Sequence, residues 1–375
     1  MPDTDQPESY EPQPQEPIER VDASGEENAP LIPPPPQGFD FHEVFVGLDG
    51  LRAGWSLLLY IALVIGLLYG TGHLVHALVH HGDAAKPSAA AQASNPSAPM
   101  PISTVLIAEG ISVFAVSLAT WVMGKIERRR ISTFGLGGRR RLPNFLAGLA
   151  WGVAMLSALV FTLRATGLLV FDARELFGGI AWSYGAVWFA GFLLVGLFEE
   201  YGFRGYLQFT LARGINGIYD WLRSFGSHAT GQGSNGQSAS GFWIAAVLVS
   251  FGFGFVHHTN ADESPIGLLS AGLVSIVFCL SLWRTGSLWW AIGFHAAWDW
   301  SESFLYGVSD SGVLIQNHLF NTHPDGRPIF SGGLTGPEGS VFVLLILALT
   351  AAVILLTLPD TRHNLATGPR NPMLN

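Results

Sequence analysis

The chain has 375 residues, of which 49% are hydrophobic and only 13% are charged. Soluble globular domains carry about 25% charged residues, so this composition excludes that class and indicates an integral membrane protein. The formal net charge of -9 is spread unevenly, because many acidic residues lie within the first 30 positions. No basic face interleaved with aromatic residues is present, which argues against a nucleic-acid partner. The single cysteine, Cys279, excludes an intramolecular disulfide and a cysteine-cluster metal site.

Four regions follow from the distribution of apolar and turn-forming residues. Residues 1–40 are rich in Pro, Glu and Gln and cannot bury enough apolar surface to fold, so we predict a disordered cytoplasmic tail. Residues 41–142 should hold an interfacial segment and two transmembrane helices, and residues 143–310 the functional core. Residues 311–375 should contain an outer loop, a last transmembrane helix and a short C-terminal tail.

Eight apolar runs are long enough, with their flanks, to cross a bilayer core of about 30 Å as helices. In chain order the runs cover residues 55–78, 102–123, 145–170, 180–211, 242–256, 266–283, 288–306 and 341–358. The predicted fold is therefore an all-α polytopic bundle of about eight transmembrane helices.

The charge of the connections predicts how this bundle is oriented. Seven basic residues lie between the second and third runs: Lys125, Arg128, Arg129, Arg130, Arg139, Arg140 and Arg141. Such a cluster marks the cytoplasmic side. Eight crossings then place both termini in the cytoplasm, in a membrane of the bacterial cytoplasmic type. Residues 81–99 should form an outer loop, and residues 214–241 a cytoplasmic loop with a flexible Gly/Ser-rich part.

Charged side chains within apolar runs are costly in a bilayer and therefore mark candidate functional residues. In the fourth run Glu200 and Arg204 are four residues apart, so a helix places them on one face as an ion pair. Glu199 is turned by about 100° from Glu200 and has no cationic partner in the helix. A free carboxylate beside a paired one suits a general base or a metal ligand. The alternative is a structural Glu–Arg pair, with Glu199 reaching water.

Histidines in two other runs extend this set. His257 and His258 end the fifth run, and adjacent residues point in different directions, so at most one of them faces the same partner as Glu199. Taken alone, such a histidine is more often a polar helix cap. In the seventh run His295 and Asp299 share a helix face, either as a functional pair or as a pair that only holds helices together. Two histidines and a glutamate are also a zinc ligand set that leaves a position open for water.

These three segments resemble the CPBP family of intramembrane proteases, also known as the CAAX protease and bacteriocin-processing, or Abi, family. The family motifs E-E-x-x-x-R, F-x-x-x-H and H-x-x-x-N/D read here, in this order, EEYGFR (199–204), FGFVH (253–257) and HAAWD (295–299). Phe253 precedes His257 by four residues, whereas Gly254 precedes His258, so the motif selects His257. The resemblance covers about residues 145–306 and makes the region 143–310 an intramembrane protease core.

The resemblance also implies roles for the motif residues. Glu199 with His257 would activate a water, the ion pair of the fourth run would brace the site, and His295 with Asp299 would stabilise the oxyanion or complete a metal shell. Two options stay open for the cofactor: a divalent metal such as zinc on Glu199, His257 and His295, or a glutamate-activated water without metal. A metal-free oxyanion role requires a protonated Asp299, which desolvation can produce, because an ionised carboxylate accepts hydrogen bonds but cannot donate one. Otherwise Asp299 orients His295 or binds a cation, which slightly favours the metal.

The predicted function is an intramembrane endopeptidase that hydrolyses a peptide bond at or near the membrane surface, in a water-filled cavity facing the cytoplasm. Its partners would be membrane lipid and a peptide or protein substrate, with a prenylated CAAX C terminus as the candidate that the resemblance suggests. Two other classes stay open: a catalytically silent family member acting as a membrane binding or immunity factor, and a proton-coupled transporter. The intact motifs argue against the first, and the lack of repeated halves argues against the second.

Overall fold

The computed structural model describes residues 44–47, 50–79, 99–138, 140–224 and 239–359, so the predicted tail at 1–40 lies outside the described residues. The described part is mostly helical. Its α-helices are α1 (Ala53–Val79), α2 (Ile102–Ile126), α3 (Arg141–Ala165), α4 (Gly178–Glu199), α5 (Gln208–Ser224), α6 (Ala239–Val256), α7 (Pro265–Thr285), α8 (Trp289–Asp299), α9 (Pro328–Ser331) and α10 (Phe342–Thr357). Two π-helical segments, Glu200–Leu207 and Trp300–Leu305, continue α4 and α8. Three 3-10 turns cover Ile131–Phe134, His257–Thr259 and Pro337–Gly339.

Six helices in the described part are long and apolar enough to cross a membrane, and they correspond to the first six predicted runs. They are Ala53–Val75, Ile102–Ile126, Arg141–Ala165, Gly178–Leu222, Ala239–Thr259 and Pro265–Thr285. The seventh predicted run forms α8 with its π-helical continuation, and the eighth forms the shorter apolar helix α10. The all-α polytopic bundle is thus confirmed, whereas the count of eight crossings stays a prediction.

Two short antiparallel sheets were not predicted. One pairs β1 (Val46–Gly47) with β2 (Gly50–Leu51), and the other pairs β3 (Leu169–Arg174) with β4 (Phe320–Pro324). The third apolar run was expected to continue as helix to residue 170, but α3 ends at Ala165. Gly167 follows with a φ of 76°, a left-handed conformation that glycine adopts without strain and that turns the chain into β3.

The predicted loop at 214–241 was wrong over its first part, because the chain stays helical to Ser224. Gly214 does not end the helix. A Cβ atom at this position would lie 2.8 Å from the Cβ of Ala53, so the glycine serves a close approach of α5 to α1. The neighbouring Arg213 donates hydrogen bonds to Ser56 and Glu127, which fixes α5 against the first two helices. Residues 225–238 lie outside the described residues.

Helices α3 and α8 pack at backbone contact. A Cβ atom at Gly148 would collide with the carbonyl oxygen of Trp290, and one at Gly152 would collide with that of Phe294. Small residues at such crossings are typical of membrane helices, because they let two backbones approach and gain van der Waals contact. The contact holds α8, which carries His295 and Asp299, at the centre of the bundle, where it also packs against α4.

The basic segment between α2 and α3 marks one end of the bundle, here called the basic end. The N–H of Leu288, just before α8, donates to Gly135 in that segment, and Arg284 at the end of α7 donates to Leu358. Arg213, which bonds to Glu127, also reaches the carbonyl of Leu51 before α1. The described N-terminal and C-terminal ends of the chain therefore lie at the same end of the bundle. The side of the membrane on which this end lies stays a prediction.

Candidate active site

The three motif segments meet around one cavity of about 270 Å³. Glu199 reaches it from α4, His257 from the turn after α6, and His295 and Asp299 from α8. These residues come from runs that are far apart in the sequence. The fold thus brings these polar side chains together, where they can bond to one another and lower the cost of placing them in a bilayer.

The predicted ion pair forms and is completely enclosed. Arg204 Nη1 lies 2.9 Å from Glu200 Oε1, and the two side chains have 0% exposure. Two other guanidinium nitrogens of Arg204 have no hydrogen-bond acceptor, and the group lies over the ring of Phe253, 3.9 Å from its centroid. A buried cation is stabilised by such a ring face. The first residue of the FGFVH motif therefore contacts the last residue of the EEYGFR motif.

His295 joins the ion pair to the cavity. Its Nδ1 lies 2.9 Å from the same Glu200 oxygen that accepts from Arg204, so the ring donates its Nδ1–H to this carboxylate. Its Nε2 points the other way and lies 3.6 Å from Glu199 Oε2 and 3.5 Å from Asp299 Oδ2. Two carboxylates facing one ring nitrogen are stabilised when a proton or a cation is shared among them. The arrangement is thus suited to holding and moving a proton.

The two adjacent histidines differ as the motif indicated. His257 lines the cavity, and its Nδ1 lies 2.8 Å from the carbonyl oxygen of Phe253, to which it donates. This bond fixes the tautomer and leaves the Nε2 lone pair of a neutral His257 free for a substrate, a water or a metal. His258 is exposed, and its Nδ1 bonds to the carbonyl oxygen of Phe255 instead.

Helices α4 and α8, which carry motif residues, both change their winding at the site. Glu200 is the first residue of one π-helical segment, and Asp299 immediately precedes the other. Such segments are rare and frequently lie at functional sites, because the wider turn redirects side chains that a regular α-helix would space differently. Here Glu200 is buried, whereas Glu199 retains 19% side-chain exposure toward the cavity.

The zinc ligand set suggested by the resemblance is not assembled as a compact group. Tetrahedral zinc binds nitrogen and oxygen at about 2.0–2.2 Å, so its ligand atoms lie within about 4 Å of one another. Among the described residues, Glu199, His257 and His295 do not form a group whose ligand atoms all lie within 4.8 Å. The metal assignment therefore stays a prediction.

Four further acidic residues lie in or beside the site, and none of them was predicted from the sequence. Glu109 on α2, Asp310 and Glu338 line the cavity, and Glu302 lies buried in the π-helical continuation of α8. Glu109 and Glu302 are carboxylates within apolar runs, which is a signal that the sequence offered. Asp310 and Glu338 lie in the long connection before α10, and their place beside the cavity depends on the tertiary fold.

The cavity lies toward the end of the bundle opposite the basic end. Its lining includes Met100 before α2, Asn260 between α6 and α7, and Ser311 after α8. Met100 donates a backbone hydrogen bond to Leu314, and Asn260 donates to Ser311, so the three connections lie together. They lie beyond the C-terminal end of α8, whereas Leu288 at its N-terminal end bonds to the basic segment. Two predictions from the sequence therefore exclude each other: a cytoplasmic basic segment implies a cavity that opens away from the cytoplasm.

The central part of the chain is similar to a known protein family. Residues 181–301, about a third of the sequence, match the family model described as Type II CAAX prenyl endopeptidase Rce1-like. The matched region contains all three motifs, and it confirms the family resemblance that these motifs indicated. The searches of curated proteins and of solved structures gave no match.

Proposed function

We propose that the protein is a membrane-embedded endopeptidase in which Glu199 activates a water for attack on a peptide carbonyl. The observation that carries this proposal is the position of Glu199 in a cavity with His257, beside His295 and Asp299. Glu199 has no arginine or lysine partner among the described residues, whereas Glu200 is held by Arg204. The matched family supports a membrane peptidase as the general class.

In the proposed reaction Glu199 accepts a proton from water, and the hydroxide equivalent bonds to the carbonyl carbon. The carbon–nitrogen bond then breaks, and the proton held by Glu199 passes to the leaving amine. General acid–base catalysis of this kind contributes about 10²- to 10⁴-fold. His257, whose Nε2 is free, would orient the water or the carbonyl oxygen. Proton transfer from water to the amine balances the hydrolysis without another reactant.

The oxyanion of the tetrahedral intermediate would be stabilised from the α8 side. His295 is oriented by its bond to Glu200, and its Nε2 faces the cavity between Glu199 and Asp299. A ring that carries a proton on Nε2 donates to an oxyanion in a site where water is scarce, and such donors are worth about 10²- to 10³-fold in rate. The buried Arg204 maintains this geometry through Glu200 and does not reach the substrate.

The lining of the cavity and the matched family support one substrate class. Beside its acidic groups, the cavity is lined by the apolar side chains Val105, Phe192, Val195, Val274 and Leu347. Apolar walls suit a segment of peptide with aliphatic side chains. A C-terminal CAAX peptide with a prenylated cysteine combines such side chains with a lipid group, and it is the first substrate to test.

The test is cleavage of a peptide library by the purified protein in detergent. The library should include farnesylated C-terminal peptides and their unmodified versions, and the Glu199→Ala variant serves as the control. Cleavage that the variant lacks supports a glutamate-dependent peptidase and begins to define its substrate. If the folded wild-type protein cleaves nothing, the silent binding member replaces the proposal. Sensitivity to 1,10-phenanthroline would favour the zinc set, and full resistance would favour the metal-free reaction.

A further inference from the structure

Three carboxylates that the proposed hydrolysis does not use form a cluster at the cavity. One ligand-type oxygen each from Glu302, Asp310 and Glu338 lies within 4.8 Å of the other two. Glu302 is completely buried, and neither of its carboxylate oxygens accepts a hydrogen bond. An unpaired buried carboxylate is costly, so its presence in this cluster points to a missing partner.

The cluster joins three separate parts of the chain. Glu302 belongs to the π-helical continuation of α8, Asp310 to the start of the connection between α8 and α10, and Glu338 to its end. Glu338 is fixed in place, because Trp298 Nε1 donates to one of its oxygens at 2.8 Å and Ser311 Oγ donates to the other at 3.0 Å. Each of these oxygens keeps a second lone pair for a further partner.

The backbone encloses Glu302 tightly. Gly336 has a φ of 105°, and a Cβ atom there would collide with the carbonyl oxygen of Ser309 and lie 3.4 Å from Glu302 Oε1. Glycine is therefore required where the two ends of the connection pass each other beside this carboxylate. Glu302 has no exposed surface, so bulk water does not compensate the charge of its carboxylate.

The charges of the cluster are not balanced by protein cations. Within the described ranges, none of the three carboxylates forms an ion pair with a lysine, arginine or histidine. Three carboxylates this close need either bound protons or a cation in order to coexist.

The spacing and the chemistry fit a hard divalent cation. Calcium binds oxygen at 2.3–2.6 Å, so two ligand oxygens of one ion are separated by at most about 4.6–5.2 Å. The separation in the cluster lies within that limit, and all three ligands are carboxylate oxygens, as calcium, magnesium and manganese prefer. We propose that Glu302, Asp310 and Glu338 bind one such cation, with calcium favoured, and that the cation ties both ends of the 306–341 connection to α8.

This site goes beyond the proposed peptidase function and does not depend on it. The cation would hold the connection that lines the cavity next to Asp299, and it would therefore stabilise the cavity wall without touching the scissile bond. If the basic end is cytoplasmic, the cluster lies on the outer side of the membrane. Calcium sites of extracellular protein modules typically have dissociation constants of about 10⁻⁴–10⁻³ M, so a weak site would suit this location.

The experiment is equilibrium dialysis of the full chain in detergent against radioactive calcium chloride at pH 7.5, after removal of bound metal with EGTA. The expected result is one calcium ion per chain of the wild type. For Glu302→Gln and for Asp310→Asn, the dissociation constant should be at least about tenfold higher than that of the wild type. Glu109→Gln is the matched control, because Glu109 is also a carboxylate of the cavity wall with an oxygen that lacks a hydrogen bond. It should bind calcium like the wild type.

Several outcomes would overturn the cation site. Folded wild-type protein that binds no calcium, magnesium or manganese would show that protons neutralise the cluster instead. Calcium binding that is lost in Glu199→Gln but kept in Glu302→Gln would move the ion to the candidate active site. Failure of the variants to fold leaves the wild-type result decisive. The readout needs no peptide cleavage, so an inactive protein that binds calcium would refute the peptidase proposal and retain this one.

Discussion

The Nδ1 atom of His295 lies 2.9 Å from Glu200 Oε1, although 95 residues separate the two in the chain. The same oxygen accepts a hydrogen bond from Arg204, so one buried carboxylate orients both a cation and the histidine ring that faces Glu199. The EEYGFR and HAAWD motifs are therefore one structural unit. Because the Glu200–Arg204 pair has no access to water, we propose that it positions His295 and does not bind substrate.

Replacing only one partner of the Glu200–Arg204 pair should strongly destabilise the protein, and replacing both should cost less than the two single replacements together. Loss of one partner leaves an uncompensated buried charge, which costs about 3–5 kcal/mol. We expect Glu200→Gln and Arg204→Met each to lower the free energy of unfolding by about this amount, and the double variant to lose clearly less than their sum. Unfolding in detergent with a denaturant series measures all four proteins. Additive losses would show that the two side chains do not interact.

The adjacent histidines provide a matched pair of variants. His257→Gln should reduce peptide cleavage by about 10²-fold, because its free Nε2 contributes to orienting the water or the carbonyl. His258→Gln should retain the wild-type rate, since His258 is exposed and does not line the cavity. Initial rates on the best library peptide compare the two. Equal losses in both variants would exclude the assignment by the FGFVH motif.

Asp299→Asn separates two roles of the last motif position. Asp299 Oδ2 lies 3.5 Å from His295 Nε2, where an amide can replace a carboxyl group that carries a proton. The metal-free account predicts that Asp299→Asn stays within about tenfold of the wild-type rate and that Asp299→Ala falls by about 10²-fold. Steady-state rates of both variants check this. Inactivity of the asparagine variant, together with inhibition by 1,10-phenanthroline, would support a metal ligand instead.

The basic end and the cavity end should be labelled from opposite sides of the membrane. Cys279 is the only cysteine and is buried, so a Cys279→Ser background allows single cysteines to be introduced elsewhere. Arg130 lies in the basic segment and Asn321 in β4, and both are exposed. In intact cells an impermeant maleimide should label Asn321→Cys but not Arg130→Cys. The reverse pattern would place the cavity on the cytoplasmic side.

The sequence predicted those parts of the site that depend on local geometry. The Glu200–Arg204 pair follows from their spacing of four residues on a helix, and the choice of His257 follows from the position of Phe253. The contact between Glu200 and His295 has no local signal, because it depends on how α4 packs against α8. The pairing of β3 with β4 joins segments about 150 residues apart and was missed for the same reason.

Apolar runs were a weaker guide to the ends of helices. Leu169 and Val170 were assigned to the third helix because they continue an apolar run, but they pair with Pro324 and His323 in a sheet. Hydropathy indicates that a segment is apolar, but it does not by itself distinguish a buried strand from a helix. Glu302 lies in the same apolar run as His295 and Asp299, but its position beside Asp310 and Glu338 depends on how the chain folds after α8.

The most direct test of the central claim compares the rates of peptide cleavage by the wild-type protein and by Glu199→Gln. Glutamine keeps the size of the side chain and its place beside His295 but cannot accept a proton from water. The account predicts a loss of at least about 10²-fold in the cleavage rate, with an unfolding midpoint close to that of the wild type. A folded Glu199→Gln variant that cleaves at the wild-type rate would contradict the role of Glu199 as the base.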